Sequence, residues 1–264
     1  MTWNPAQYLQ YEDARLRPAL ELMARVPLAA PATIADLGCG AGNVALRLAQ
    51  RWPHASVTGI DADEAMLAKA RATAQGEPRL RFERADLAHW HPPLPFDLVY
   101  SNAALHWLDD HAALFPRLLD AVAAGGVLAV QMPDNFRAPS HVLLEEVATS
   151  ARWSANAGRV VRGVPVARPH EYVEWLAPRA ALDVWTTEYL QHLPRRDDGE
   201  HPVLAWMRGT ALLPFLAVLD AGEQRAFARD LAQRLAHAYP LRADGSVLFP
   251  FRRLFIVARK LDGR

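Results

Sequence analysis

The chain is expected to form an α/β fold: a mostly parallel sheet with helices on both faces. Three observations predict it. The apolar run Thr33–Leu37 leads straight into glycines at alternate positions, Gly38, Gly40 and Gly42. A helix-period pattern then starts at about Asn43, carried by Val44, Leu46, Leu48, Ala49 and Trp52. Strand, glycine turn and helix in that order open a nucleotide-binding βαβ unit. Short apolar runs then alternate with helical patterns as far as Pro133. That alternation builds parallel sheets, because parallel neighbours need a crossover connection.

The elements follow in order. Pro5–Val26 carries apolar residues at helical spacing (Tyr8, Leu9, Leu16, Leu20, Leu22, Met23), with Pro18 expected to break it into two helices. Pro27–Pro31 links to the first strand, Thr33–Leu37. The helix Asn43–Trp52 ends at Pro53, and Ser56–Asp61 is the second strand. A helix at about Glu64–Thr73 precedes the third strand, Leu80–Arg84, which ends near Asp86. After prolines 92, 93 and 95 comes a short buried strand ending at Ser101 and Asn102. A helix at about Asp110–Ala123 and a turn at Gly125-Gly126 lead to a fifth strand, V-L-A-V-Q-M, closed by Pro133.

Beyond this point the pattern loosens. Residues 134–180 hold one expected helix, His141–Trp153, and a Gly/Pro/Arg-rich stretch, Gly158–Pro169. A strand at Leu182–Tyr189, a charged loop at Arg195–Asp198, and helical stretches at about Pro202–Leu219 and Ala221–Ala238 follow. The chain closes on L-F-P-F-R-R-L-F-I-V-A-R, a final strand. There is no internal repeat and no low-complexity tract. The expected organisation is a single domain over 1–264. Its core is about 30–133 plus strands near 182–189 and 252–260. Helices from about 134–180 and 200–240 are expected to form a lid over the strand carboxyl ends, where open parallel sheets hold ligands.

Composition narrows the function classes. Of 264 residues, 51% are hydrophobic and 22% charged, enough to bury a sizeable core. Lys+Arg and Asp+Glu are both 29, so no basic excess exists to hold a phosphate backbone. A small acidic substrate needs only a local cluster of arginines. The one cysteine, Cys39, can form no internal disulfide and supplies no thiolate cluster for zinc. The N-terminus M-T-W-N-P-A-Q-Y has neither a basic n-region nor an apolar h-region. No apolar run approaches the ~18 residues of a membrane span. The expected setting is cytoplasmic, without membrane or nucleic-acid partners.

The ligand is read from Asp36. The dinucleotide fingerprint G-x-G-x-x-G would place its third glycine at position 43, which is Asn43, and the spacing here is D-x-G-x-G-x-G. A carboxylate would repel a pyrophosphate but accept from an ammonium or a hydroxyl, so Asp36 and Asn43 oppose a Rossmann dehydrogenase. The stretch resembles the glycine-rich motif of class I S-adenosylmethionine-dependent methyltransferases. The resemblance implies S-adenosylmethionine as cofactor, S-adenosylhomocysteine as product and no metal. It implies that Asp36, Gly38, Gly40 and Gly42 bind the cofactor, that Asp61 receives the ribose hydroxyls, and that Asp86 and Leu87 contact the adenine. Asn102 and Trp107, after the fourth strand, would face the methyl donor, and Trp3 and Tyr8 would close over it. Singly, Asp36 also fits a turn-stabilising Asx residue, Asp61 and Asp86 helix caps or loop acids, Asn102 a turn residue, and Trp107 core. Their register with successive strand ends favours ligand contact. His106 reads as a pocket-lining hydrogen-bonder or general base. Cys39 reads as a small apolar packer, since no cationic neighbour lowers its pKa.

The resemblance extends almost end to end. W-N-P at Trp3–Pro5, R-x-R-P-A at Arg15–Ala19, L-x-A-R-V-P-L at Leu22–Leu28, R-W-P at Arg51–Pro53 and T-G-I-D at Thr58–Asp61 carry it. L-A-V-Q-M-P-D-N at Leu128–Asn135, P-x-H-V-L at Pro139–Leu143 and R-L-F-I-V-A-R at Arg253–Arg259 continue it. These resemble the trans-aconitate methyltransferase family. That resemblance implies a seven-stranded Rossmann-like sheet and methyl transfer to one carboxylate of trans-aconitate, giving a monomethyl ester. The chain departs from the family's G-L-R-P, reading Ala211-Leu212-Leu213-Pro214, and from F-P-R-L-F, where it has Arg252. Residues 156–169 also match poorly.

A carboxylate acceptor is already ionised and nucleophilic, so alignment is the enzyme's task and no general base is required. Three carboxylates need paired charges, best supplied by arginine forks. Arg15, Arg17, Arg137, Arg208 and Arg253 are the candidates. Arg15 and Arg17 lie two apart, so on a helix only one faces a pocket. Competing readings are a methyltransferase for another small carboxylic acid or a neutral metabolite, and a non-catalytic S-adenosylmethionine-binding sensor.

Overall fold

The parallel strands all end on one edge of the sheet. In the computed structural model, which describes residues 12–262 and side chains from 16 onward, the strands are β1 (Thr33–Leu37), β2 (Ser56–Asp61), β3 (Leu80–Arg84), β4 (Phe96–Asn102), β5 (Val122–Pro133), β6 (Ala180–Leu193) and β7 (Val247–Lys260). They form one seven-stranded sheet in the order β3-β2-β1-β4-β5-β7-β6. β1 pairs in parallel with β2 and β4, β2 with β3, and β4 with β5, while β7 runs antiparallel to β5. The carboxyl ends of the five parallel strands, at Leu37, Asp61, Arg84, Asn102 and Pro133, therefore share an edge. β1 is a buried inner strand, with Ile34, Ala35 and Leu37 fully buried between β2 and β4.

The helices are α1 (Glu12–Arg25), α2 (Asn43–Arg51), α3 (Glu64–Thr73), α4 (His111–Asp120), α5 (Pro139–Thr149), α6 (Pro169–Leu176), α7 (Pro202–Arg208), α8 (Leu213–Ala217) and α9 (Ala221–Ala238). The described residues divide into two compact units: 15–133, 165–187 and 253–262 form a sheet-bearing unit, and 12–14, 134–164 and 188–252 form a helical unit. Residues 165–180, expected with the late helices, group with the sheet.

Within the sheet-bearing unit, α1 runs through Pro18 without a break, correcting the two-helix expectation. The proline removes one hydrogen bond, but burial of Ala19, Leu22 and Met23 holds the helix together. The Tyr100 hydroxyl donates to the Ala19 carbonyl at 2.5 Å, fastening α1 to β4. At the other end of α1, the Arg25 guanidinium lies 5.0 Å over the Trp185 ring, which stacks on Phe255 at 4.8 Å. Asp63 caps α3, accepting from the Ala65 amide at 2.8 Å. Gly125-Gly126 does not precede β5 as a turn. It lies inside the strand, where the register against β4 jumps from Phe96–Val122 to Leu98–Val127. Extra residues on one strand are accommodated as a bulge while the ladder resumes on either side.

The helical unit has its own core, with Trp153, Trp206, Phe215, Phe227, Tyr239 and Phe249 buried together. Truncating a fully buried phenylalanine such as Phe227 typically costs about 3–5 kcal/mol. The expected helix His141–Trp153 is α5, displaced toward the N-terminus. Pro139 sits in its first turn, where no amide donor is needed, and Ser150 leaves helical geometry with ψ 157°. The stretch expected as one helix from Pro202 to Leu219 is two, α7 and α8. Gly209 closes α7, and Pro214 cannot supply the amide that would carry the helix through. Asp220 and Glu223 form a reciprocal capping box at the start of α9. Among the described residues no helix is long and apolar enough to cross a membrane, and no cluster of three metal-ligating side chains exists.

Candidate active site

The glycine turn is held open from two sides. The Gly38 and Cys39 amides both donate to the Ile60 carbonyl, at 2.7 and 3.1 Å, fixing the turn against the end of β2. Gly38 has φ +71°, and a Cβ there would lie 2.2 Å from the Ala104 methyl, so the position excludes any side chain. Gly40 has φ +53° and a Cβ would meet nothing within 4 Å among the described residues. Its missing side chain therefore leaves open space over the backbone. Gly42 precedes α2 and packs on Ala70 of α3. The Asp61 carboxylate completes the turn, accepting from Gly40 N–H at 2.9 Å through one oxygen and from Asp63 N–H at 2.9 Å through the other. Each oxygen keeps a further lone pair for another donor.

Asp36 lies beneath this turn, 1% exposed, near the end of β1. Burial, and secondarily the Asp61 carboxylate, push its pKa up to about 7, opposed by a hydrogen bond from the Ala45 amide in the first turn of α2. Its second oxygen, Oδ2, is buried with no hydrogen-bond partner among the described residues. A buried acceptor in this state invites a donor, and a cationic one most strongly. Cys39 is buried beside it. Burial together with Asp36 and Asp61 raises its thiol far above the ordinary range, so it packs and does not attack.

At the end of β4 the backbone bends sharply. Asn102 Oδ1 is buried without a partner among the described residues, and Ala103 follows in the left-handed region at φ +54°. An alanine there is strained. The strain is held by its amide donating to the Gln131 carbonyl at 2.9 Å and by Ala104 filling the space that Gly38 leaves. The 3-10 turn Leu105–Trp107 comes next, with the His106 and Trp107 rings 5.0 Å apart and Trp107 half exposed. Trp107 is thus not core. After β3, Asp86 makes an exposed local turn, accepting from Ala88 N–H at 2.9 Å and pairing with His89 at 2.7 Å, which lowers its pKa. Leu87 beside it is 8% exposed.

On the other side of β4 stand two buried polar residues. Gln131 on β5 is fully buried, and its Oε1 accepts from Arg253 Nη1 of β7 at 3.3 Å, with Arg253 itself 5% exposed. Residues directly paired across strands share a face, and the face alternates with period two. Asp36 pairs with Gly59 and Tyr100, Asn102 with Gln131, and Gln131 with Phe255. Asp61, Asp36, Asn102, Gln131 and Arg253 therefore occupy one face at the carboxyl edge, in the sheet order β2-β1-β4-β5-β7. Charge runs along it from two acids, through two amides, to a guanidinium.

The remaining expected arginines whose side chains are described have ion-pair partners within their own units. Arg17 is exposed on α1 and pairs with Glu21 at 2.8 Å. Within the helical unit, Arg208 pairs with Glu200 at 2.6 Å and Arg137 lies 3.8 Å from Asp134, while the adjacent Arg252 pairs with Asp134 at 2.7 Å. Trp3, Tyr8 and the Arg15 side chain lie outside the described residues. Leu213 is half-buried at the start of α8. Sequence reasoning missed Gln131 as a functional candidate. The signal was one amide in the otherwise apolar run V-L-A-V-Q-M, since a polar side chain on a fully buried strand needs a partner.

The chain matches known proteins over nearly its whole length. The family model described as "Methyltransferase domain" matches residues 34–126, which span β1 to the bulge of β5. Trans-aconitate 2-methyltransferase of Methylobacterium nodulans is 46% identical over 260 residues, covering 98% of both chains. The Variovorax paradoxus protein of the same name is 48% identical over 264 residues, covering 98% of this chain and 99% of that one. Among solved structures, phosphoethanolamine N-methyltransferase 2 of Haemonchus contortus in complex with S-adenosyl-L-methionine shares the fold. Its TM-score is 0.56 at 18% identity, covering 93% of this chain and 52% of that one.

Proposed function

The chain belongs to the trans-aconitate 2-methyltransferase family, and on that premise we propose that it transfers the methyl group of S-adenosylmethionine to one carboxylate of trans-aconitate, forming the monomethyl ester. The charge order along the carboxyl edge, from Asp61 and Asp36 to Arg253, carries the reading. It suits a cationic cofactor at one end and an anionic acceptor at the other.

The residues fit the cofactor. Among the described residues the buried Asp36 Oδ2 has no hydrogen-bond partner and the space above Gly40 is open, so an ammonium and a backbone approach can both be met. Asp61 keeps acceptor capacity for ribose hydroxyls, Leu87 offers an apolar side chain for the adenine ring, and Asp86 offers an acceptor beside it. Bound there, S-adenosylmethionine supplies a methyl group on a positively charged sulfur, which needs no further activation. The protein's work is then alignment. Arg253 draws the acid toward the β7 end, and Asn102 stands between that end and the acids. The strained Ala103 and its bond to Gln131 hold Asn102 in place. No side chain has to remove a proton, because the acceptor carboxylate is ionised at neutral pH. His106 and Trp107 line the site in this reading and transfer no proton.

Zero formal charge supports a small acidic metabolite over a nucleic acid, and the reaction is assigned to the cytoplasm. The test is methyl incorporation from labelled S-adenosylmethionine across a panel of di- and tricarboxylates, with product esters identified by mass. Trans-aconitate is expected to give the highest kcat/KM. Ester formation from another acid but not from trans-aconitate would overturn the substrate and leave carboxyl methylation standing.

A further inference from the structure

We propose that Gln131 is a substrate-binding residue, forming with Arg253 a two-part seat for the carboxylate that accepts the methyl group. This rests on the carboxyl-methylation reading above and assigns the seat within it.

Three observations converge on Gln131. It is fully buried, with its Oε1 bound to the Arg253 guanidinium. A guanidinium only donates, so the amide oxygen must face it, and that fixes which way the amide points. The Nε2 group is then directed away from Arg253, and it has no partner among the described residues. Leaving a buried amide donor unsatisfied is costly, and such groups are rare without a ligand or water to receive them. Finally, the neighbouring residue on β4, Asn102, has a buried Oδ1 that is equally unmet. A donor and an acceptor on paired residues both stay open, as they would around a group that enters between strands.

The chemistry favours a division of labour between the two members. Arg253 bears the charge and holds the carboxylate oxygen far from the methyl donor. Gln131, between Arg253 and Asn102, donates to the oxygen nearer β4, which is the one that attacks. A neutral amide bond orients this oxygen without withdrawing as much electron density as an ionic contact would. A guanidinium on the attacking oxygen would stabilise the ground state and slow transfer.

The test uses the full chain with Gln131→Glu and Gln131→Leu. Gln131→Glu keeps an acceptor for Arg253 but removes the donor and adds a negative charge. Its KM for trans-aconitate is expected to rise at least tenfold, while the S-adenosylmethionine Kd stays within twofold of wild type. Gln131→Leu is expected to raise KM less and to lower kcat as the acid loses its orientation. Calorimetric titration of trans-aconitate into the S-adenosylhomocysteine complex should show the same weakening without turnover. Should Gln131→Leu prove unstable, Gln131→Glu decides alone, because it preserves the bond to Arg253. Wild-type KM and wild-type acid binding in Gln131→Glu would overturn the seat. A wild-type protein that binds S-adenosylmethionine but esterifies no acid would instead overturn the reading beneath it, and the seat as well.

Discussion

The Asp61 carboxylate accepts a hydrogen bond from the Gly40 amide at 2.9 Å, tying the end of β2 to the most open point of the glycine turn. The Gly38 and Cys39 amides on the Ile60 carbonyl hold the turn at the end of β2, so the next side chain along, Asp61, completes it. Asp61→Ala removes this charge-assisted bond and the acceptor proposed for the ribose. Hydrogen bonds to charged groups contribute about 1.5–3 kcal/mol. The S-adenosylmethionine Kd is therefore expected to rise about ten- to hundredfold, measured by calorimetry, with the helical unit's α9 still fully formed by hydrogen exchange. An unchanged Kd would remove Asp61 from the cofactor site.

Asp36 makes cofactor affinity depend on pH. Its pKa in the folded chain is raised from the ordinary 3.8 to about 7. The folded state thus binds the proton more tightly than the unfolded one across that window. Stability contributed by the protonated form is present at low pH and is lost as pH rises toward 7. A cationic ligand prefers the ionised form, so S-adenosylmethionine affinity is expected to climb between pH 5.5 and 7.5 and then level. Asp36→Asn should bind weakly at every pH, lack this climb, and gain thermal stability over wild type as pH rises. Parallel pH profiles for the two proteins would rule out Asp36 as the titrating group.

Gly38 and Gly40 should respond differently to the same methyl. Gly38→Ala drives a Cβ into the Ala104 methyl at 2.2 Å in a left-handed conformation, so a large fall in melting temperature is expected. Gly40→Ala meets no atom within 4 Å among the described residues. Its cost to the unliganded fold is confined to about 1–2 kcal/mol of left-handed strain. Its cofactor-induced thermal shift should nevertheless collapse, because the methyl occupies the space over the backbone. Equal loss of cofactor binding and stability in both variants would contradict this separation.

How far the site could be read from the chain differs residue by residue. Asp36, Gly38, Gly40 and Asp61 were legible because a strand, a tight turn and a helix N-terminus are set by neighbours within a few positions. The boundaries of β1 to β4 followed for the same reason. Pro18 and Gly125-Gly126 misled, since local breakers yield where packing continues an element: α1 is held by its buried face, and β5 by ladders on both sides of its bulge. The arginines were the least legible. Arg17 and Arg253 look alike in sequence, but one is exposed against Glu21 and the other buried against Gln131.

Local spacing along the chain determined the glycine turn and the acids around it, because those contacts depend on hydrogen bonds between near neighbours and on parallel strands whose ends must align. Only the pairing of distant segments decided where the buried guanidinium sits. Gln131 and Arg253 are 122 residues apart. They meet because β7 enters antiparallel beside β5 in a register that puts Pro133 opposite Arg253 and both polar side chains on one face. A shift of one residue in that register would turn Arg253 to the other face of the sheet, since side chains alternate with period two. No motif of either segment records that choice.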